Sequence, residues 1–496
     1  MTSVKRRWVT LAVVGGLVLV LVELALARPG GGHSYSGGGG HSRGGSSGGG
    51  DGGGFLELIY WLIRLLIEFP QVGVPVLICV IGYFAYSSYK QHANKDWDSG
   101  PPVVLERAID LSDLRRIDPD FSQVLFEDFA FRLFSTAHRL RHSEETLAQV
   151  APYVGNDARF ALQTRPPAGV PAVSVVVGAM RVTHVDLPGV LAEGATGRVN
   201  VNVELEANVT TADKTYYSVE LWRFSRDGTR TTKPPASKNF PCPNCGAPWQ
   251  SAQTGTQVCA SCGETVDNGR FDWVVEKITL RSIDERPPAL LGNVEERGTD
   301  LETYRQEGVD QNLIALGQAD PAVTESTLLA RLHLIYDQLN RSWAANDLNP
   351  VRGLVSDGLY DYLAYWIEAY KRQDLRNELV DMRITHHAWA KVSRDRWYDA
   401  VTVRIWATGK DFTALASTGQ VLKGSSTRER KYSEYWTLIR SASRKGAPLA
   451  EPKCSNCGAP LQITMAGECA HCNAHITAGE FDWVLSKIEQ DDSYRG

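Results

Sequence analysis

The chain has 496 residues, 43% hydrophobic and 22% charged, with a formal net charge of −5. At roughly 100–200 residues per domain it holds several domains with ample core. The slightly acidic balance argues against a nucleic-acid binder that works through bulk positive charge.

Lys5, Arg6 and Arg7 precede an apolar run from Trp8 to Val22, and Ala25-Leu26-Ala27 supplies a small-x-small cleavage signal. Residues 1–28 therefore read as a signal peptide or, uncleaved, as an anchor helix. Residues 29–54 are mostly glycine and form a linker that cannot bury a core; such a coil spans about 30 Å root-mean-square. Residues 55–90 join an amphipathic stretch, Phe55–Glu68, to an uncharged span, Phe69–Tyr89. That span is about the 20 residues a bilayer-crossing helix needs, and Pro70 and Pro75 kink or separate the two pieces. Lys90 and Lys95 follow the span, and Lys5–Arg7 precede the first segment. Positive charge marks the cytoplasmic flank. This places the linker outside and residues 90–496 in the cytoplasm, at the inner (cytoplasmic) membrane, in a single-pass or hairpin arrangement. If the second segment only lies on the surface, the body is extracytoplasmic instead.

The rest of the chain is duplicated. Met180-Arg-Val-Thr-His184 recurs as Met382-Arg-Ile-Thr-His386, and Asp118-Pro119 recurs as Asp320-Pro321, both 202 residues on. Cys242-Pro-Asn-Cys-Gly-Ala-Pro248 recurs as Cys454-Ser-Asn-Cys-Gly-Ala-Pro460, and Phe271-Asp-Trp273 as Phe481-Asp-Trp483, in the same order. The first copy takes in 105–284, a connector 285–317, and the second copy 318–490.

Each copy opens on a helix. Leu125, Phe129, Leu133, Ala137 and Leu140 share helical spacing in the first. Leu328, Leu332, Ile335, Leu339 and Trp343 do so in the second, with Thr324 or Ser326 as a cap. A second short helix in the second copy aligns Leu359, Leu363, Trp366 and Tyr370. Strands follow. Residues 199–209 alternate Val, Leu and Ala with Asn and Glu, which predicts one buried and one wet face, and Val401, Val403, Ile405 and Ala407 match them. Tyr217–Phe224 and Tyr432–Ile439 form the next strand, and the Phe-Asp-Trp motif begins the last. The fold class is α+β, with helices packed on one face of an antiparallel sheet.

Of nine cysteines, Cys79 lies in the uncharged span and the other eight form two sets of four. Cys242-x-x-Cys245 and Cys259-x-x-Cys262 are separated by 13 residues, and Cys454-x-x-Cys457 and Cys469-x-x-Cys472 by 11. Two such knuckles bring four thiolates to one tetrahedral point, so two structural Zn2+ ions are expected, each in a zinc ribbon, 240–265 and 452–475. A full shell of thiolates leaves no position for a catalytic water. An iron–sulfur cluster, or disulfides if the topology is inverted, are the alternatives. His471 and His475 read as bystanders. Each ribbon falls between two consecutive strands, which makes it an insertion at a hairpin tip, too short for a core of its own and separable from the sheet by deleting about 440–478 in the second copy.

No nucleophile elbow, Walker loop or dinucleotide-binding glycine motif is present. His184 and His386 read as structural histidines beside Met180 and Met382, and Glu220 and Glu434 as partners of strand arginines. The tryptophans near the ribbons read as core.

In the second copy, Asp320-Pro321, the Leu332–Trp343 helix, the Leu348–Leu354 turn, Asp357-Gly-Leu-Tyr360 and Tyr432-Ser-Glu-Tyr-Trp436 resemble the Tim-forty-four-like (Tim44-like) domain family. The first copy is similar more loosely, and the ribbons depart from the mitochondrial pattern. The resemblance implies two tandem cone-shaped domains, each with a curved sheet cupping an apolar pocket against helices. It also implies a non-enzymatic membrane tether or scaffold whose partners are membrane lipid and a protein. A ribbon-mediated nucleic-acid or regulatory module, or an enzyme using the pocket, are the competing functions.

Overall fold

The computed structural model describes residues 113–187, 197–233, 240–253, 255–285, 298–447 and 482–496, with isolated positions between, the eight paired cysteines all included. The expected signal, linker and span in 1–90 lie outside the described residues. Among those described, no helix is long and apolar enough to cross a membrane.

The first copy begins with α1 (Leu114–Ile117), α2 (Gln123–Leu140), α3 (Glu144–Leu147) and α4 (Asn156–Thr164). Four antiparallel strands follow: β1 (Ser174–Asp186), β2 (Arg198–Thr210), β3 (Thr215–Asp227) and, after a short pair β4 (Ser251–Ala252) and β5 (Gly255–Cys259), β6 (Val274–Glu285). The sheet order is β1-β2-β3-β6. Ser122 caps α2 by accepting from Leu125 N. The buried face of α2 is Phe126, Ala130, Leu133, Phe134, Ala137 and His138, rotated from the expected stripe. Val124 and Leu125 pack instead on Tyr398, Ala400, Ile439 and Val484 of the second copy, so this helix has two apolar faces.

The second copy repeats the plan with α5 (Val309–Ala319), α6 (Glu325–Ala344), α7 (Asp357–Arg372), β7 (Leu375–Arg394), β8 (Tyr398–Leu415), β9 (Val421–Gly424), β10 (Arg430–Ser441) and β11 (Val484–Gln490). Its sheet order, β11-β10-β8-β7 with β9 beside β8, matches the first. Thr324 caps α6 in a box with Thr327. Leu328, Leu332, Ile335, Leu339 and Trp343 are all buried, as the spacing predicts. A fully buried side chain of this size contributes roughly 1.5–3 kcal/mol. Part of the expected connector is regular structure, because α5 starts at Val309.

Three local expectations are corrected. The Phe-Asp-Trp motif precedes the last strand: the Asp272 and Asp482 carboxylates accept from the N–H of Trp273 and Trp483, and the ladders start at Val274 and Val484. The second face of β2 is wet only over its first half. Glu206 and Asn208 are buried because α7 of the second copy lies there: Tyr365 faces Asn208, Thr210 and Thr215, and Val176 and Tyr217 join the second copy's core. His184 and His386 are exposed, each immediately after a register shift in its edge strand, and the His386 ring lies 4.9 Å from the Trp406 ring and not in the core beside Met382.

One buried contact occurs twice. Asp118 Oδ2 accepts from Arg226 Nη2 at 2.8 Å, and that guanidinium lies 4.6 Å from the Trp273 ring centroid. Asp320 Oδ2 accepts from Arg440 Nη1 at 3.0 Å, with Trp483 at 4.8 Å. All four charged side chains are at most 3% exposed. Removing Asp118 leaves Arg226 a bare buried charge, whereas removing Asp320 leaves Arg440 still 3.6 Å from Asp399. Asp118→Ala should therefore cost about 3–5 kcal/mol in urea unfolding, and Asp320→Ala less. Asp128→Ala, which breaks only the partly exposed α2 pair with Arg132, should cost under ~1 kcal/mol.

Candidate metal centres

The two Cys-x-x-Cys turns of the first ribbon have the same backbone. Cys242 N donates to Ala247 O and Gly246 N to Cys242 O, both at 2.9 Å; Cys259 N donates to Glu264 O at 3.0 Å and Gly263 N to Cys259 O at 2.8 Å. The turns close because Gly246 and Gly263 take φ of 73° and 72°, which a side chain would strain. In the second ribbon Cys454 N donates to Ala459 O at 2.9 Å, the same closure.

These turns gather the sulfurs. Within each set the four Sγ atoms lie within 4.8 Å of one another. Cys242–Cys262 is 3.9 Å, Cys245–Cys259 4.0 Å, Cys454–Cys472 3.6 Å and Cys457–Cys469 3.9 Å. A tetrahedron with Zn–S near 2.3 Å has edges of about 3.8 Å. All eight cysteines are free thiols, and the two sets fit a metal ion each. The first cysteine of every turn is buried and the second is exposed or half-exposed. Burial pushes the Cys242 thiol up to about 12, whereas the Glu264 N–H and the Asn244 amide bring Cys262 down to about 7. Ser261 N and His471 N donate to the Cys259 and Cys469 sulfurs, both at 3.4 Å. His471 enters the second centre through its backbone only in these contacts, as a bystander ring would.

Both ribbons link paired antiparallel strands, β3 with β6 and β10 with β11, so the hairpin placement holds. The expected separability does not hold for the first. Its Cys242, Cys259, Val266 and Phe271 form a small core with Trp249. Trp249 Nε1 donates to Ala148 O at 2.9 Å, Tyr153 Oη to Pro241 O at 2.8 Å, and Phe240 packs on Phe129 and Tyr153. The second copy has Arg331, Leu354, Pro452 and Leu461 at the positions of Phe129, Tyr153, Phe240 and Trp249. A deletion from 440 would also remove Arg440, the buried partner of Asp320.

Inside the first copy, Glu220 meets Arg165, Trp222 Nε1 at 2.7 Å and His138 Nε2 at 3.2 Å. Arg165 follows α4 and is not a strand residue, which corrects the expected pairing. Glu434 accepts from Trp436 Nε1 at 3.0 Å, and Asn340 holds the position of His138. Burial pushes the Glu220 carboxyl up, but His138 and Arg165 outweigh it and hold it well below its ordinary range. Burial keeps His138 below its ordinary 6.5 despite Glu220. Trp222, Trp273, Trp436 and Trp483 are buried, as core side chains.

A family model, the Tim44-like domain, matches residues 309–449, most of the second copy. No curated protein matches the chain. One solved structure, an "Ntf2 like protein involved in plasmid conjugation", is 10% identical and aligns over 60% of this chain and 95% of its own, with a TM-score of 0.14.

Two outcomes follow from this geometry. Cys242→Ser should lose one metal ion and speed hydrogen exchange in α2 and at Tyr153, through the lost Trp249 and Phe240 contacts; Cys454→Ser should leave α6 and β8 protected. His138 and Glu220 both have depressed folded-state pKa values. Their contributions are therefore present above pH 6.5 and 4.5 and are lost as pH falls through the folded values. His138→Asn, the second copy's choice, should reduce the loss of thermal stability expected of wild type as pH drops below about 6.5.

Proposed function

We propose that this chain, with a Tim44-like domain at 309–449, is a non-enzymatic membrane-tethered scaffold built on two structural zinc ribbons. The carrying observation is the pair of four-sulfur clusters: four thiolates fill a tetrahedral shell and leave no site for a reacting water. Zinc suits them because it takes four thiolates without a redox role. The buried His138–Glu220–Arg165 group supports no competing chemistry, since its side chains are sealed from solvent.

On this reading residues 105–284 and 318–490 are two Tim44-like domains in tandem, joined by 285–317. The apolar segments before residue 90 hold the body at the cytoplasmic face of the inner membrane, where reducing conditions keep the thiols free. The binding partners are membrane lipid and a protein.

Metal analysis of the purified chain should give two zinc per chain, falling to one in Cys242→Ser or Cys454→Ser. Less than one zinc in wild type, or stably bound iron, would refute the metal assignment. A reporter fused after residue 100 should be active only in a cytoplasmic format, which tests the topology separately.

A further inference from the structure

The loop after α4 sets the first copy apart. Residues 165–173 separate α4 from β1, where only Gln373 and Asp374 separate α7 from β7. The root of the loop is the buried charged group. Arg165 pairs with Glu220, and Arg141 donates to Leu162 O at 3.3 Å, Arg165 O at 2.6 Å and Pro166 O at 3.3 Å. The second copy, with its two-residue turn, has Asn340 and Trp343 at the positions of His138 and Arg141. Buried charges carry a desolvation penalty, and this set occurs in the copy that has a loop to hold.

The loop presents an apolar tip. From Pro166 to Met180 no residue is charged. Pro166, Ala168, Gly169, Val170 and Pro171 are exposed, and a Cβ added at Gly169 would meet nothing within 4 Å. Phe160, on the exposed side of α4 one turn before the loop, is 68% exposed, and Val173, at the start of β1, 67%. No other large hydrophobic side chain among the described residues is as exposed as these two. Val173 N donates to Thr210 O at 2.7 Å, so the far end of the loop is bonded to the body as the near end is.

We propose that this tip, Val170 flanked in the chain by Phe160 and Val173, inserts into the interfacial layer of the bilayer that tethers the chain, and so sets how the body lies on the membrane. The proposal rests on the membrane-tethered reading above. Lipid suits the tip because its side chains, from 166 to 173, carry no hydrogen-bond donor or acceptor. They match an acyl layer and have nothing with which to read a polar protein surface. Residues 90–113 join the uncharged span to α1, a reach of about 80 Å when fully extended. Within that reach the tether raises the effective concentration of bilayer at the tip, so three apolar side chains suffice for a contact too weak to hold a free protein.

The test uses the full chain reconstituted in phosphatidylcholine vesicles with brominated acyl chains. An environment-sensitive fluorescent amino acid is placed at position 170 or, as a control, at position 421, where Val421 is exposed in the second copy. The probe at 170 should shift to the blue and be quenched by the brominated chains, and the probe at 421 should show neither effect. Adding Phe160→Asp and Val173→Asp, both at exposed sites, should abolish the shift and the quenching at 170. An unquenched probe at 170 in chain that floats with the vesicles overturns the proposal and leaves the tether standing. Quenching at 170 that survives the two aspartates also overturns it. Chain that does not float with the vesicles refutes the tether, and the proposal with it.

Discussion

A carboxylate at the start of each copy, buried against one guanidinium and the indole beneath it, fixes where everything else can go. Asp118 and Asp320 sit at the head of the helical layer. Arg226 and Arg440 end the strands that lead into the ribbons, and Trp273 and Trp483 stand where the chain returns. Helix, outgoing strand and returning strand are thus tied at one point. The same carboxylates reach the ribbon legs: Thr232 N and Oγ1 donate to Asp118, and Gly446 N to Asp320. A metal knuckle inserted here starts from a rigid root, and the ordering of its two legs does not fall on the metal alone.

Duplication preserved this root and let the surroundings diverge. In the first copy the interior above β3 is charged, with Arg141 capping the carbonyls of Leu162, Arg165 and Pro166, and Arg165 turned in to Glu220. In the second copy aromatic side chains take those places: Trp343 stands where Arg141 does, and Tyr432, bonded to Tyr336, where Ser218 does. The carboxylate–indole pair, Glu220 with Trp222 and Glu434 with Trp436, survives in both. A buried carboxylate is costly without partners, so the first copy holds Glu220 with added cations, while the second shows an indole donor and a filled apolar interior. The second copy is also the one whose pattern the Tim44-like model matches.

Features set by local chemistry were legible in the sequence. The Cys-x-x-Cys turns, three of the four followed by glycine, fix their own geometry locally, and the eight cysteines assemble in two sets of four as their spacing implies. Strand alternation placed β2 and β8, and the capping residues placed α6. What could not be read depended on the other copy. Glu206 and Asn208 look solvent-facing until α7 lies on them, and Val124 and Leu125 look like core of the wrong sheet until Tyr398 and Ile439 meet them. The Asp–Arg clamp lay within reach: Arg226 and Arg440 share the offset of Glu220 and Glu434, and extending the repeat by six residues aligns them. The fastening of the first ribbon left a fainter trace, in that Phe240 and Trp249 have no aromatic counterpart in the second copy.

The fastening of the first ribbon bears on what its candidate metal centre can do. Around the first centre the aromatic contacts of Phe240, Tyr153 and Trp249 join the ribbon to α2 and to the turn after α3. A metal ion bound there would be coupled to the packing of the first copy. At the second, Arg331 donates to Trp483 O and pairs with Asp482, which ties α6 to the root of the ribbon. In the first copy the cysteine set is therefore part of a core that reaches the helical layer. On the proposed reading as a scaffold, that arrangement fixes the shape of the first copy's body.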